Sequence, residues 1–291
     1  MALPLCFTSC SNDDAVVGDE TVAVSFCAEL PQMMGTRVES TSDVDKVYCA
    51  VFENGNEIVH LRTEIDITSG QGISFVPRLI KGRTYRVAFW ASKEDAYNVS
   101  NFKSITRNAG FTEVDYDAFT AVTDPITVEG SHTIGVTLRR PIAQLNMGVT
   151  EADWSCLTQK FGMTPSTITL TIDGKSAFNA LTGSAVGESQ PITYNLGVTG
   201  DALVCNDVTY HNIAMCYILA EAEMVTTNIT YSIYDESANP IRQDVQIIHV
   251  PIQRNYKTNV VGGLLTGQVT YNIAFEDNFL TDGDHNKEIN Q

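Results

Sequence analysis

Apolar and polar residues alternate with period two along almost the whole chain, and this pattern excludes most folds. Successive side chains of a strand point to opposite faces, so every second residue lines one face. Val22, Val24, Phe26 and Ala28 alternate with polar or small residues. Val47, Cys49 and Val51 share one face of the next run, and Tyr48, Ala50 and Phe52 share the other. Asn54-Gly55 follows as a hairpin turn, because both residues tolerate positive φ. Tyr85, Val87 and Phe89 alternate again, as do Ile134, Val136 and Leu138. Ala143, Leu145 and Met147 open the second half. Ile168, Leu170 and Ile172 follow, and Asp173-Gly174 is expected to close that run with a turn. Ile213, Met215, Tyr217 and Leu219 are expected on one face, then Ile229, Tyr231 and Ile233, then Val245, Ile247 and His249. Val269, Tyr271, Ile273 and Phe275 come last.

The pattern predicts about ten or more strands at sandwich-like spacing. A short helix is expected around Glu151 to Phe161. Strands do not alternate with helices, so a doubly wound parallel sheet is excluded. The fold class is all-β, two β-sandwiches in tandem. Pro141 cannot donate a ladder hydrogen bond, and the break there divides the chain into units 20–140 and 141–291, the second ending in an acidic tail.

Composition narrows function. Apolar residues make up 43% of the 291 positions, enough for two cores. No run reaches the roughly 18 apolar residues of a membrane-spanning helix. A net charge of -17 opposes a nucleic-acid partner, since phosphate binding needs a basic surface. Seven cysteines stand at positions 6, 10, 27, 49, 156, 205 and 216 without a CxxC pair, which speaks against a zinc knuckle. Cys27, Cys49 and Cys216 lie in strand-like runs and are expected as buried free thiols.

Catalytic patterns are absent from the sequence. His60, His132, His211, His249 and His285 form no i, i+4 pair, and no Gly-x-Ser-x-Gly elbow occurs. Gly174-Lys175-Ser176 lacks the upstream glycine of a phosphate loop and reads as a hairpin turn. Asp43/Asp45 and Asp282/Asp284 are too sparse for a calcium loop. The expectation is a protein that is not an enzyme, with no cofactor and no metal. Trp90 reads as core. Trp154 is open between core packing and a glycan-stacking surface.

Met1 to Ser11 reads MALPLCFTSCS and is followed by Asn12-Asp13-Asp14. An apolar stretch that stops at a cysteine and turns acidic resembles the end of an export leader. Its charged beginning is missing, since no Lys or Arg precedes Arg37, so translation is expected to start upstream. Phe7-Thr8-Ser9-Cys10 resembles a lipobox with Cys10 as the lipidated residue, because a thiolate is the nucleophile that takes up lipid. Residues 1–19 are then a truncated lipoprotein signal and tether.

Leu138-Arg139-Arg140-Pro141-Ile142-Ala143-Gln144-Leu145-Asn146 and Arg254-Asn255-Tyr256-Lys257-Thr258-Asn259-Val260-Val261-Gly262 resemble segments of the Bacteroidales fimbrillin-like lipoproteins, the major and minor fimbrial subunits. Leu264-Leu265-Thr266-Gly267, Asp277-Asn278-Phe279 and Gly35-Thr36-Arg37 resemble further words of that family in the same order. The resemblance implies two transthyretin-like β-sandwich domains in a lipid-anchored outer-membrane precursor that later joins a surface fimbrium. It implies cleavage by an arginine-specific protease between Arg37 and Val38. The first strand, Thr21 to Leu30, then leaves, and a strand of another fimbrial subunit, with Gln268 to Phe275 and its tail as candidate, fills the groove head to tail. The alternative is a monomeric surface lipoprotein adhesin that binds glycan or host protein.

Overall fold

A computed structural model describes residues 19–30, 44–67 and 72–276, with the backbone of Asn286–Ile289. Among the described residues it is all-β apart from short 3-10 turns at Val59–Leu61 and Glu113–Tyr116 and a helical turn at Glu151–Ser155 that continues as a wider turn over Cys156–Lys160. Thr150 caps this helix by accepting the Asp153 amide at 3.2 Å, the usual role of a threonine there.

The later residues form a sandwich. One sheet has the strand order Ala202–Cys205, Val208–Leu219, Ile142–Val149, Lys257–Gly263, Thr270–Glu276, Asn286–Ile289. The facing sheet has the order Gln190–Gly197, Pro165–Gly174, Val225–Asp235, Pro240–Ile252. Leu145, Met147, Ile168, Leu170, Ile229, Tyr231, Ile233 and Ile273 fill the space between them. The alternation in these runs is thus the inward face of two packed sheets.

In the earlier residues Lys46–Glu53 pairs with Thr84–Ser92, which pairs with Ala118–Val122. Val47, Cys49, Val51, Val87 and Phe89 point into a core shared with Val24, Phe26 and Phe75. Ala50, Phe52, Ala88 and Trp90 point the other way, into a further core with Phe102, Ile142, Phe178 and Tyr217. Both faces of this sheet are covered, which explains why Val47–Phe52 reads as almost unbroken apolar sequence. The further core draws on residues from both sides of Pro141. So does a small sheet in which Ile105–Arg107 pairs with Ala177–Asn179.

Polar locks reinforce this junction. The Arg140 guanidinium makes two 2.7 Å bonds to the Asp117 carboxylate and lies 4.6 Å from the Phe119 ring centroid. Such a fork-to-fork pair fixes orientation as well as charge. Glu113 accepts the Tyr217 amide at 3.1 Å and Arg107 donates to the Tyr217 carbonyl. These two side chains bond a stretch of strand backbone whose edge would otherwise be open.

Several expectations need correction. Asn54-Gly55 is a turn with φ of 51° and 75°, as read. Asp173 and Gly174, however, are strand residues paired with Pro191 and Gln190, and the chain leaves them for a different sheet. Gly174-Lys175-Ser176 is therefore a crossover, not a hairpin turn. The run from Ile213 to Leu219 does not keep one face. A bulge at Ile213 lets both Ile213 and Ala214 reach the sandwich core, after which Met215, Tyr217 and Leu219 belong to the opposite side. An extra residue in one strand inverts every later side chain. Cys49 and Cys216 are buried but Cys27 is exposed, because its neighbours Phe26 and Ala28 take the inward positions. Around Pro141 the chain is not an open linker, since Arg140 is 3% and Ile142 0% exposed.

Candidate functional site

The first strand occupies an unusual place. Ser25–Glu29 lies in the middle of a three-stranded sheet, parallel to Thr133–Thr137 on one side and antiparallel to Ile73–Phe75 on the other. Thr21–Ala23 pairs separately with Arg78–Ile80. Alternation sends Val24, Phe26 and Ala28 inward, with exposures of 0, 0 and 1%. The Phe26 ring meets Phe75 at 6.1 Å and Phe89 at 6.2 Å between centroids. Removing this strand would leave a groove floored by those two rings, edged by unpaired backbone on both sides.

What holds the strand is mainly apolar. Burying each of its larger side chains contributes about 1.5–3 kcal/mol. The side-chain ties lie at the surface: Lys81 to Glu20 at 3.1 Å, Arg83 to Asp19 at 2.7 Å and Arg78 to the Thr21 carbonyl at 3.0 Å. Exposed pairs of this kind contribute about 0–1 kcal/mol each.

The expected processing residues Arg37 and Val38, and the expected lipidation residue Cys10, lie outside the described residues. The candidate donor run is built into the sandwich. Thr270–Glu276 is paired with Lys257–Gly263 on one side and Asn286–Ile289 on the other. Among the described residues the strands with a single neighbour in that sheet are Ala202–Cys205 and Asn286–Ile289.

The segments carrying the sequence resemblance turn out to be architectural. The Asp153 carboxylate accepts the amides of Leu265 at 2.6 Å and Thr266 at 2.9 Å, while Tyr231 donates to the Leu264 carbonyl at 2.9 Å. Asn255 adopts φ 66° and donates its amide to Ile142 at 2.8 Å. Asn146 donates to Asn259 at 2.7 Å, and Asn259 to Glu276 at 2.5 Å, in a chain of amides across three strands.

Trp90 is core, with 0% exposure. Trp154 packs partly against the sandwich core, and its ring stacks on His211 at 4.7 Å and 12°. His211 in turn meets Glu151 at 2.7 Å, so this aromatic face is taken internally. Burial pushes the Cys49 thiol up to about 12 and raises that of Cys216 as well, which leaves both inert as nucleophiles. Among the described residues no group of three or more His, Cys, Asp or Glu could hold a metal ion.

One cleft of about 490 Å³ opens between the two sheets of the sandwich. Its apolar floor includes Ile172, Ile218, Val225 and Ile252, and its polar wall includes Asp173, Lys175, Glu221, Thr226, Asn228 and His249. Lys175 bonds Glu221 at 2.6 Å and the Ala185 carbonyl at 3.2 Å. The sequence pattern placed His249 on an inward face with Val245 and Ile247. It is instead exposed, in the left-handed region at φ 57°. The signal in the sequence was a histidine ending an otherwise apolar alternation.

Over residues 14–290 the chain matches a family described as a family of unknown function, DUF6562. The chain belongs to this family. Among solved structures, a candidate polysaccharide-binding protein (DUF1812) of Bacteroides thetaiotaomicron aligns with this DUF6562 chain at TM-score 0.51 and 11% identity, over 87% of this chain and 95% of that one. A candidate adhesin of Bacteroides ovatus aligns at TM-score 0.52 and 10% identity, over 92% and 95%. The fimbrial anchor protein Mfa2 of Porphyromonas gingivalis aligns at TM-score 0.44 and 10% identity, over 88% and 96%. The first two likenesses are of fold; at its score the third carries no weight. No curated protein matches the chain.

Proposed function

We propose that this chain is a structural subunit of an adhesive surface fimbria, assembled by exchange of its first strand. The observation that carries this reading is the seat of Ser25–Glu29: a central strand, held by apolar side chains, followed in sequence by the segment that contains Arg37 and Val38 and leads to Lys46–Glu53. Cleavage after Arg37 would sever that strand without freeing it. A competing strand must then take over both the groove and the open backbone bonds. Four apolar side chains at roughly 1.5–3 kcal/mol each give about 6–12 kcal/mol of gross gain before the entropy of association. The fold shared with a candidate adhesin supports the same reading.

The candidate donor is Gln268 to Phe275 with its tail: Val269, Tyr271, Ile273 and Phe275 are its four apolar side chains, and Asn286–Ile289 is the part of the tail that lies at the edge of the sheet. Such exchange is head to tail and builds open filaments. In this reading residues 1–19 are leader and tether with Cys10 lipidated, and 20–140 and 141–291 are the two sandwich units. The partners are other fimbrial subunits, an arginine-specific protease and the outer-membrane lipid, and no catalytic role is assigned.

Trypsin-treated protein is expected to form SDS-resistant ladders, and Arg37→Ala protein to stay monomeric. Deleting 286–289 removes one edge strand and should abolish ladders while leaving the sandwich folded. Equal ladders from wild type and Arg37→Ala would remove the cleavage step. No ladder from either would favour the second reading, a monomeric lipoprotein adhesin, for which the polar cleft between the sheets is the specific observation. Palmitate labelling that persists in Cys10→Ala would discard the lipid anchor.

A further inference from the structure

We infer that the cleft between the two sheets of the later sandwich is a binding site for a neutral saccharide, and that a strained bulge in strand Pro240–Ile252 exists to aim His249 and Asn228 at it. The inference rests on the adhesive side of the proposed function, and it can fail while fimbrial assembly stands.

The bulge is the first observation. Along the pair Val225–Asp235 and Pro240–Ile252, Thr227 faces Val250 and Ile229 faces Ile247. Asn228 therefore lies opposite two residues, Ile248 and His249. The backbone absorbs the extra residue by placing His249 at φ 57°. That region costs an L residue roughly 1–2 kcal/mol, and such outliers persist where surrounding structure enforces them. The Asn228 side-chain oxygen receives the His249 amide at 3.2 Å, which locks the bulge. Asn228 and His249 both line the cleft, and bulges commonly re-aim a side chain beside a site.

The lining chemistry is the second observation. The volume, about 490 Å³, lies within the roughly 300–1,000 Å³ typical of ligand pockets. Acceptors (Asp173, Glu221) and donors (Lys175, Asn228) stand around the aliphatic floor of Ile172, Ile218, Val225 and Ile252. This combination suits a sugar, whose hydroxyls need donors and acceptors together while its C–H faces need apolar contact. Thr226 adds a hydroxyl to the rim.

Charge selects the class. Lys175 is neutralised by Glu221 at 2.6 Å, and Asp173 adds a further carboxylate to the wall. The chain as a whole carries -17. An acidic polysaccharide would meet repulsion from both the wall and the long-range field, so a neutral glycan is the fitting occupant.

The test is saturation-transfer NMR on the full chain with a panel of neutral oligosaccharides (maltohexaose, mannohexaose, xylohexaose, N-acetyllactosamine) and one acidic control, oligogalacturonate. At least one neutral member should give saturation transfer, and the acidic control none. His249→Gly is the informative variant, because glycine adopts positive φ without strain. It should keep or raise the thermal midpoint and weaken binding by about tenfold, or ~1.4 kcal/mol. Thr226→Trp should block the cleft. Absence of binding by every neutral member, stronger binding by oligogalacturonate, or binding unchanged in both variants would each overturn the inference.

Discussion

Replacing Phe26 by alanine tests the energetic role assigned to the first strand. The Phe26 side chain is 0% exposed and meets the rings of Phe75 and Phe89 at 6.1 and 6.2 Å. Truncating a buried phenylalanine removes transfer energy and leaves a cavity, together about 3–5 kcal/mol. The adjacent residue is an internal control. Cys27 is exposed, so Cys27→Ala should change stability by no more than about 0.5 kcal/mol. The surface ion pairs at Glu20 and Asp19 cannot make up the difference, at about 0–1 kcal/mol each. Urea denaturation followed by fluorescence of Trp90 is the assay, in a Trp154→Phe background. Trp90 is buried in the same sheet that Phe26 packs against. Phe26→Ala should lower the midpoint strongly with unchanged slope, and should speed ladder formation after trypsin treatment. A loss under about 1 kcal/mol, or one equal to that of Cys27→Ala, would refute the claim that apolar burial holds this strand.

A β-carbon added at Gly148 would lie 2.8 Å from Leu203 Cδ2 and 2.9 Å from Tyr210 Cβ. Gly148→Val should therefore cost about 1–3 kcal/mol by overpacking and lift the hairpin Ala202–Cys205/Val208–Leu219, read as a lower thermal midpoint and faster proteolysis at Asn206-Asp207. The Lys93 ammonium beside Asp115, helped by Thr112, holds the Asp115 carboxyl down to about 2 from an ordinary 3.8. Its folded value lies below its unfolded one, so this contribution is complete above the ordinary carboxylate range and is lost as pH falls from about 4 toward 2. Asp115→Asn should flatten that part of the urea-midpoint profile against pH, and an unchanged profile would contradict the assignment.

Period two decided the fold class before any coordinate. Val24/Phe26/Ala28, Tyr85/Val87/Phe89 and Ile229/Tyr231/Ile233 are inward in the structure as in the pattern, because alternation is a local property of an extended chain. The short helix at Glu151 and the Asn54-Gly55 turn were legible for the same reason: capping and positive φ act within a few residues. The bulges at Ile213 and His249 were not legible. An extra residue in a strand is defined only against its partner, Ile142–Val149 in one case and Val225–Asp235 in the other. The misplacement of Cys27 has a different origin, since an apolar-looking run conceals which of its two faces turns inward until the opposing sheet is present. The cleft needed still more. Asp173, Glu221, Asn228 and His249 are scattered over 77 positions of sequence (173 to 249) and converge only because two sheets stack. Sequence thus set the strands, their turns and most inward faces through local sterics and hydrophobicity. Tertiary pairing decided where register slips, which strand sits in the middle of its sheet, and which polar side chains meet in one cavity.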